Sequence, residues 1–550
     1  MNFLKAGMHK LPEYMQLRQA VESNALPAVA TGLSGIHKAT IINALVQDTN
    51  KTALLLAADE AEAQRICQDL TSMGLRSFIY PTRDFTFRNV ESASREYEHQ
   101  RIQVLSRILK HDCDVVVACM DAALQYTIPP NELEGRMIEL KKGQTVSLEQ
   151  VVQSLVRCGY VRAEQIDGTG QFAVRGGILD FFTPDAPYPV RIEFWGDEID
   201  TIGLFDLESQ RRTETVDAIM LAPSVEVLVD NPSELADKIE KHASSLRGKT
   251  APKAKEILQM ECDQLRNGRH FHCADKYITM LYDRTATLLD YFSLNDTLVF
   301  VSEFHKGKER IRTTQWQWAE DVKEYLEEGV LCRGLDTYSG DWIYIQSQLE
   351  KRSTVCLEAF VRGTYEVPVR TLLNITARQL SVWGGSIALL EEDLQAMQSS
   401  GLTCIVLGGT EKTASNIATD LKEKGLSVVY MPDMSEIPDK GVIITTGTLS
   451  AGMEFPAAGF GIITHGRHTG KAAAKKRKNK HAQELYSLSE LTVGDYIVHA
   501  SHGIGVFEGI HKINMQGVVK DYIKVRYAKK DTLYVPVTQL DLVSKYIGPR

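Results

Sequence analysis

The segment DVVVACM, residues 114–120, limits the fold more than any other stretch of this chain. Three consecutive valines with no polar alternation describe a strand covered on both faces, and such strands belong to parallel sheets sandwiched between helices. The neighbouring segments fit that frame. KTALLLAAD (51–59) is an apolar run whose last residue, Asp59, can cap the following helix EAEAQRICQDLTSMG, which stops near Gly74. SFIYP is a short strand, and REYEHQRIQVLSRIL (95–109) carries helical apolar spacing. Strand and helix alternate, so the first part of the chain reads as a parallel α/β unit.

The pattern changes near Gly143. From there to about Pro223 the chain is short strands and turns, with Gly176-Gly177 and Gly196-Asp197 as punctuation, and reads as a small α+β insert. Helical patterning returns between about 230 and 330, around the strand DTLVFVSEF (296–304). A second compact α/β unit covers about 378–466 (TCIVLGG, EKTASNIATDLKEKG, LSVVYM, GVIITTG, GFGIITHG). Six basic and no acidic residues fall between Lys471 and Lys480, with almost no large apolar side chain. That run reads as a solvated linker, with a nucleic-acid or targeting patch as the other reading. The last 60 or so residues are rich in Tyr, Val and Ile between glycine turns, enough for a small barrel, with VTQLDLVSKYIG as a closing helix. The boundaries are therefore 1–142, an insert at 143–223, a return segment at 224–377, an α/β unit at 378–466, a linker at 467–487 and a β module at 488–550.

A net charge of −9 excludes a surface that binds nucleic acid indiscriminately. No run of about 18 apolar residues is present, and the N-terminus lacks a long apolar core, so neither a membrane span nor a signal peptide is expected. Nine cysteines without a CxxC pair suit a reducing cytoplasm.

One segment invites chemistry. TGLSGIHKAT (31–40) follows an apolar stretch and precedes a helical pattern, as a phosphate-binding loop does. Gly32, Gly35 and Lys38 fit. His37, however, stands where the second glycine of G-x-x-x-x-G-K-[ST] belongs, and is expected to cost strain or block the pocket. Ala39 stands where the metal-binding hydroxyl belongs, and Thr40 comes one residue too late, about 100° round the helix. The acidic partner motif is sought at Asp121, which has no second acid beside it. A vestigial nucleotide fold is the preferred reading; a working ATPase and an unrelated glycine turn are the alternatives.

Cys262, His270, His272 and Cys273 match no common zinc spacing and are read as surface and packing residues. The two histidines of HASHGIG (499–505) are read as turn and packing residues. If YPVRIEFW is a strand, Arg191 and Trp195 share a face. They are either part of a binding surface with Arg175, or a buried tryptophan beside a surface charge.

The tract FAVRGGILDFFTPDAPYPVRIEFWGDEIDTIGLFDLESQR resembles the second domain of the repair helicase subunit UvrB and of the transcription-repair coupling factor family. The tail VGDYIVHASHGIGVFEGI with DYIKVRYAKKDTLYVPVTQLDLVSKYIG resembles the CarD-type module that engages RNA polymerase. Both tracts in this order resemble the coupling factors rather than UvrB, which has no such tail. The resemblance implies a multidomain chain: an α/β UvrB-like domain carrying an α+β insert, a second small α/β domain, and a C-terminal all-β Tudor/SH3-like barrel. It implies an adaptor for transcription-coupled nucleotide excision repair, cytoplasmic, with two partners. UvrA would bind the insert through Arg175, Arg191 and Trp195. The RNA polymerase β subunit would bind the barrel by strand addition, with Ile513 as the best single position. ATP, Mg and most DNA contact belong to a translocase motor that lies beyond the barrel in the family, so the chain is expected to be an N-terminal part without that motor, with no catalytic residue, metal or cofactor of its own. The rival reading is a UvrB-like ATPase or helicase in its own right; a CarD-type regulator accounts for the tail alone.

Overall fold

The structure, a computed structural model, describes residues 1–550 apart from 89–94, 269–270, 384, 466–481, 485–492, 500–502, 516–517, 528–531, 537–542 and 547–550. Its largest sheet has seven strands in the order Thr371–Asn374, Ala28–Thr31, Ser353–Leu357, Thr297–Ser302, Thr52–Ala57, Val115–Cys119 and Ser77–Tyr80. Every neighbouring pair is parallel. Val115–Cys119 is buried along its whole length, as its unbroken apolar run requires. The sheet uses strands from both ends of the segment that contains the insert, so the chain leaves this unit, builds the insert and comes back.

The insert is a six-stranded sheet in the order Arg212–Val216, Glu198–Phe205, Val190–Trp195, Ile178–Phe181, Gln171–Arg175, Val161–Arg162. All its pairs are antiparallel except the last. One face packs on the helix Leu148–Arg157, which opens with a Ser147–Gln150 capping box. Val151 and Leu155 of that helix meet Phe172, Leu179, Phe181, Ile192 and Ile202 in one apolar cluster. A two-stranded neck, Ile138–Lys141 against Ala218–Leu221, joins the insert to the main unit. Just past the neck, Glu226 is fully buried and accepts from Arg101 Nε at 2.6 Å; Arg83, also buried, pairs with Asp275 at 2.8 Å and Glu226 at 3.3 Å. This buried ion network fixes where the insert leaves the α/β unit, and no local sequence pattern announces it.

The second α/β unit has the sheet order Arg378–Leu380, Gly452–Phe455, Phe460–Thr464, Thr403–Leu407, Val442–Thr445, Val428–Tyr430, parallel in its centre and antiparallel at the first edge. It is not a separate bead. Ile405, Leu407, Met453, Phe455, Phe460 and Ile462 share one continuous core with Phe3, Leu4, Ile36, Ala39, Ile42 and Leu70 of the first unit. Burying each large apolar side chain contributes about 1.5–3 kcal/mol, so a junction built from eleven of them and Ala39 holds the two units together.

The C-terminal strands form an antiparallel sheet in the order Ala482–Glu484, Val543–Tyr546, Tyr496–His499, Gly503–Met515, Val518–Arg526, Thr532–Pro536. Its core is Ile497, Phe507, Ile523, Val525, Leu533, Val535 and Val543. Among the described residues no pairing joins the two edge strands, so the pairings describe an open sheet where sequence suggested a closed barrel. The expected closing helix is also corrected in part: Val543–Tyr546 is a strand, because pairing with Tyr496–His499 satisfies its backbone and buries Val543. The rest of that expected helix, 537–542 and 547–548, and the basic run 471–480 lie outside the described residues. His499 is buried, with Nδ1 3.3 Å from Glu96 Oε1, while His502 lies outside the described residues.

Candidate functional sites: a closed phosphate loop and an exposed sheet face

The loop between the strand Ala28–Thr31 and the helix Gly35–Thr49 has the position of a phosphate cradle, but it is closed. Gly32 has φ +84°, and a Cβ there would lie 2.1 Å from the Ile375 carbonyl oxygen. Ile375 N donates to Thr31 O at 2.9 Å, and Thr31 Oγ1 donates to Asn374 Oδ1 at 3.0 Å. The chain entering the second α/β unit therefore lies on the loop itself.

Of the two outcomes expected of His37, strain and a blocked pocket, the backbone shows no strain: the residue lies inside the helix, third after the Ser34 N-cap. Its Nδ1 accepts from Ser34 N at 3.2 Å, and its Nε2 donates to Arg378 O at 3.1 Å. These bonds define the neutral ring with the proton on Nε2. Burial pushes the imidazole pKa down to about 4, against the opposing bond to Arg378. The ring also stands edge-on to Phe455, with centroids 5.2 Å apart. His37 thus closes the cradle by filling it. Thr40 Oγ1 donates to Ile36 O of its own helix at 2.9 Å, turned away from the loop as its register requires.

Lys38 is buried, and its ammonium meets Glu303 Oε1 at 2.7 Å, Ser302 Oγ at 2.8 Å and Glu62 Oε1 at 3.2 Å. An ammonium has three protons to donate, and all three have protein partners. Burial pushes the Glu303 carboxyl up, but the bonds from Lys38 and from Ala359 N outweigh it and hold its pKa below the usual value. Burial raises the Glu358 carboxyl, which accepts from Phe304 N at 2.8 Å.

These acids were missed by sequence reasoning, which looked to Asp121. Asp121 follows the strand four places from the loop strand and pairs with Arg310 at 2.7 Å. The acids facing the loop instead follow Thr297–Ser302 and Ser353–Leu357, between which the sheet places no other strand. The available signal was that both apolar runs, TLVFVS and STVCL, end directly on a glutamate.

The second candidate is the outer face of the insert sheet. Alternation puts Val190, Ile192 and Phe194 into the core and Arg191, Glu193 and Trp195 on the opposite face, so Arg191 and Trp195 share a face. Their roles diverge. Trp195 is 83% exposed, the reverse of a buried tryptophan. Arg191 is tied down: Nε and Nη2 reach Asp180 at 2.7 and 2.8 Å, and the guanidinium lies 4.4 Å over the Phe205 ring. Arg175 is exposed and ends its strand opposite Ile178, which in turn faces Glu193. Phe194 N donates to Gly177 O at 2.8 Å, so the Gly176-Gly177 turn lies beside the Trp195 end of its strand.

Ile513 falls in the strand Gly503–Met515, opposite Lys520. Gly503–Val506 of this strand pairs with Tyr496–His499, and Phe507 exchanges backbone bonds with Gly494 and Asp495; from Gly509 onward, among the described residues, the strand pairs with Val518–Arg526 alone. Cys262 is buried with Sγ 3.5 Å from Ala236 O, Cys273 is buried and His272 half-buried, while His270 lies outside the described residues. Among the described residues no three His, Cys, Asp or Glu side chains converge in a way that could hold a metal ion.

Residues 138–226 match the family described as the UvrB interaction domain, and residues 491–547 match the CarD-like/TRCF RID domain. The transcription-repair-coupling factor of Bacillus subtilis (strain 168) is 30% identical over 534 residues. Those of Staphylococcus epidermidis (strain ATCC 12228) and Staphylococcus aureus (strain MRSA252) are 26% and 25% identical. The chain belongs to the transcription-repair-coupling factor family. Each alignment takes in 94% of this chain, and the chain spans 45% of the length of these relatives. Within the family framework the insert and the C-terminal sheet are the two matched modules, and the closed loop lies in neither. Among the described residues no helix is long and apolar enough to cross a membrane.

Proposed function

We propose that this chain is the adaptor of a transcription-repair coupling system: its insert docks UvrA and its C-terminal sheet docks RNA polymerase through the β subunit. The observation that carries the reading is the exposed Trp195 on the same sheet face as the exposed Arg175. A large aromatic left in water beside a free arginine is the usual anchor of a protein interface. The one-sided strand around Ile513 supports strand addition as the mode of polymerase binding, and closure of the C-terminal sheet into a barrel belongs with that reading. The unit of residues 378–466 serves as the cover of the former phosphate loop. ATP-driven movement along DNA is assigned to the portion of the family's proteins that this chain does not span.

The rival, an ATPase in its own right, requires a nucleotide to displace the Ile375–Arg378 segment and to take Lys38 from two buried carboxylates. An equilibrium titration with Mg-ATP tests this. No binding is expected up to millimolar concentration, and micromolar binding that disappears on Lys38→Ala would sink the adaptor reading.

A further inference from the structure

We infer that Ile178 is a further contact residue of the insert's docking face, forming with Trp195 an apolar strip that selects a partner with an apolar recess carrying a carboxylate at its Ile178 end. The inference rests on the UvrA-docking reading above and goes beyond the three positions it used.

Ile178 is 37% exposed at the start of a strand whose next residue, Leu179, is fully buried. It lies on the outer face because it is opposite Arg175 on one side and Glu193 on the other. Glu193 precedes Trp195 by two residues, so Ile178 and Trp195 are diagonal neighbours on one face, within reach of one apolar group.

The surroundings keep this strip uncovered. Arg212, from the edge strand, pairs with Glu193. It reaches across because Gly203 has no side chain: a Cβ there would meet Arg212 Nε at 2.7 Å and Cδ at 2.9 Å. Arg212 is thereby held low over the sheet. Arg191 is likewise held by Asp180 and Phe205. Arg175 is then the cation at the Ile178 end of the strip that is left to meet a carboxylate on the partner.

The test is binding of the full chain to UvrA, by calorimetry or anisotropy at several salt concentrations, for Arg175→Ala, Ile178→Ala, Ile178→Asp and Trp195→Ala. Trp195→Ala and Ile178→Asp are each expected to weaken binding by roughly 100-fold or more, and Ile178→Ala by roughly tenfold with an unchanged salt dependence. Arg175→Ala is expected to flatten the salt dependence. Thermal melts should match the parent, and the mild Ile178→Ala change keeps the test valid should the aspartate variant misfold. If Trp195→Ala binds like the parent, the docking reading itself fails. If Trp195→Ala loses binding while both Ile178 variants stay within about twofold of the parent, Ile178 is no contact and the inference alone fails.

Discussion

At the scale of single residues, Lys38 separates the two histories this chain could have. In a working phosphate loop the lysine waits for a ligand, and its removal costs activity more than stability. Here it is the counter-ion of Glu62 and Glu303 in a buried site. Lys38→Met leaves those carboxylates buried without compensation, and a loss of about 3–5 kcal/mol is expected in urea denaturation followed by the α/β signal. His37 sets a pH dependence. Its pKa falls from 6.5 to about 4 on folding, so the unfolded chain takes up the proton first. The contribution is fully present above pH 6.5 and is lost as pH falls toward 4, amounting to about 3 kcal/mol. His37→Gln should flatten the melting temperature profile across that window; an unchanged profile would mean that other groups set the acid sensitivity.

At the scale of elements, the insert sheet separates binding from architecture. Arg191 lies in an intramolecular ion pair with Asp180, whereas Arg175 lies in water. Arg191→Ala should therefore lower the thermal stability of the insert together with its partner binding, while Arg175→Ala should weaken binding and leave the melt unchanged. Calorimetric melts beside the binding curves distinguish them. The loop element carries a similar contrast. Gly32→Ala drives a Cβ into the Ile375 carbonyl at 2.1 Å in a left-handed backbone, and should destabilise the junction with the second α/β unit by at least about 2 kcal/mol. Much of this level was legible in sequence. The valine run gave the parallel sheet, and the turn glycines and alternating strands gave the insert. The exposure of Trp195 was not legible, because a two-residue period assigns a face and not its covering. The strand Val543–Tyr546 was read as helix because four residues between turns cannot show which period they follow until a partner strand is present.

For the whole molecule, the feature that no local pattern could reveal is that the two α/β units share one core. The sheet order decides which strand ends face the loop, and that order is non-local. For this reason Glu303 and Glu358 were missed while Asp121 was tried. The same packing closes the loop: the space a nucleotide would need there is taken by Ile375–Arg378 and by Phe455. On the adaptor reading proposed above, this shared core is the body that carries the two docking modules. The measurement that tests this most directly is a pair of capture assays on the full chain, one with UvrA and one with the polymerase β subunit. Trp195→Ala should lose UvrA and keep the polymerase subunit, and Ile513→Arg should do the opposite. Equal loss of both partners from either variant, or loss of neither, would contradict the account.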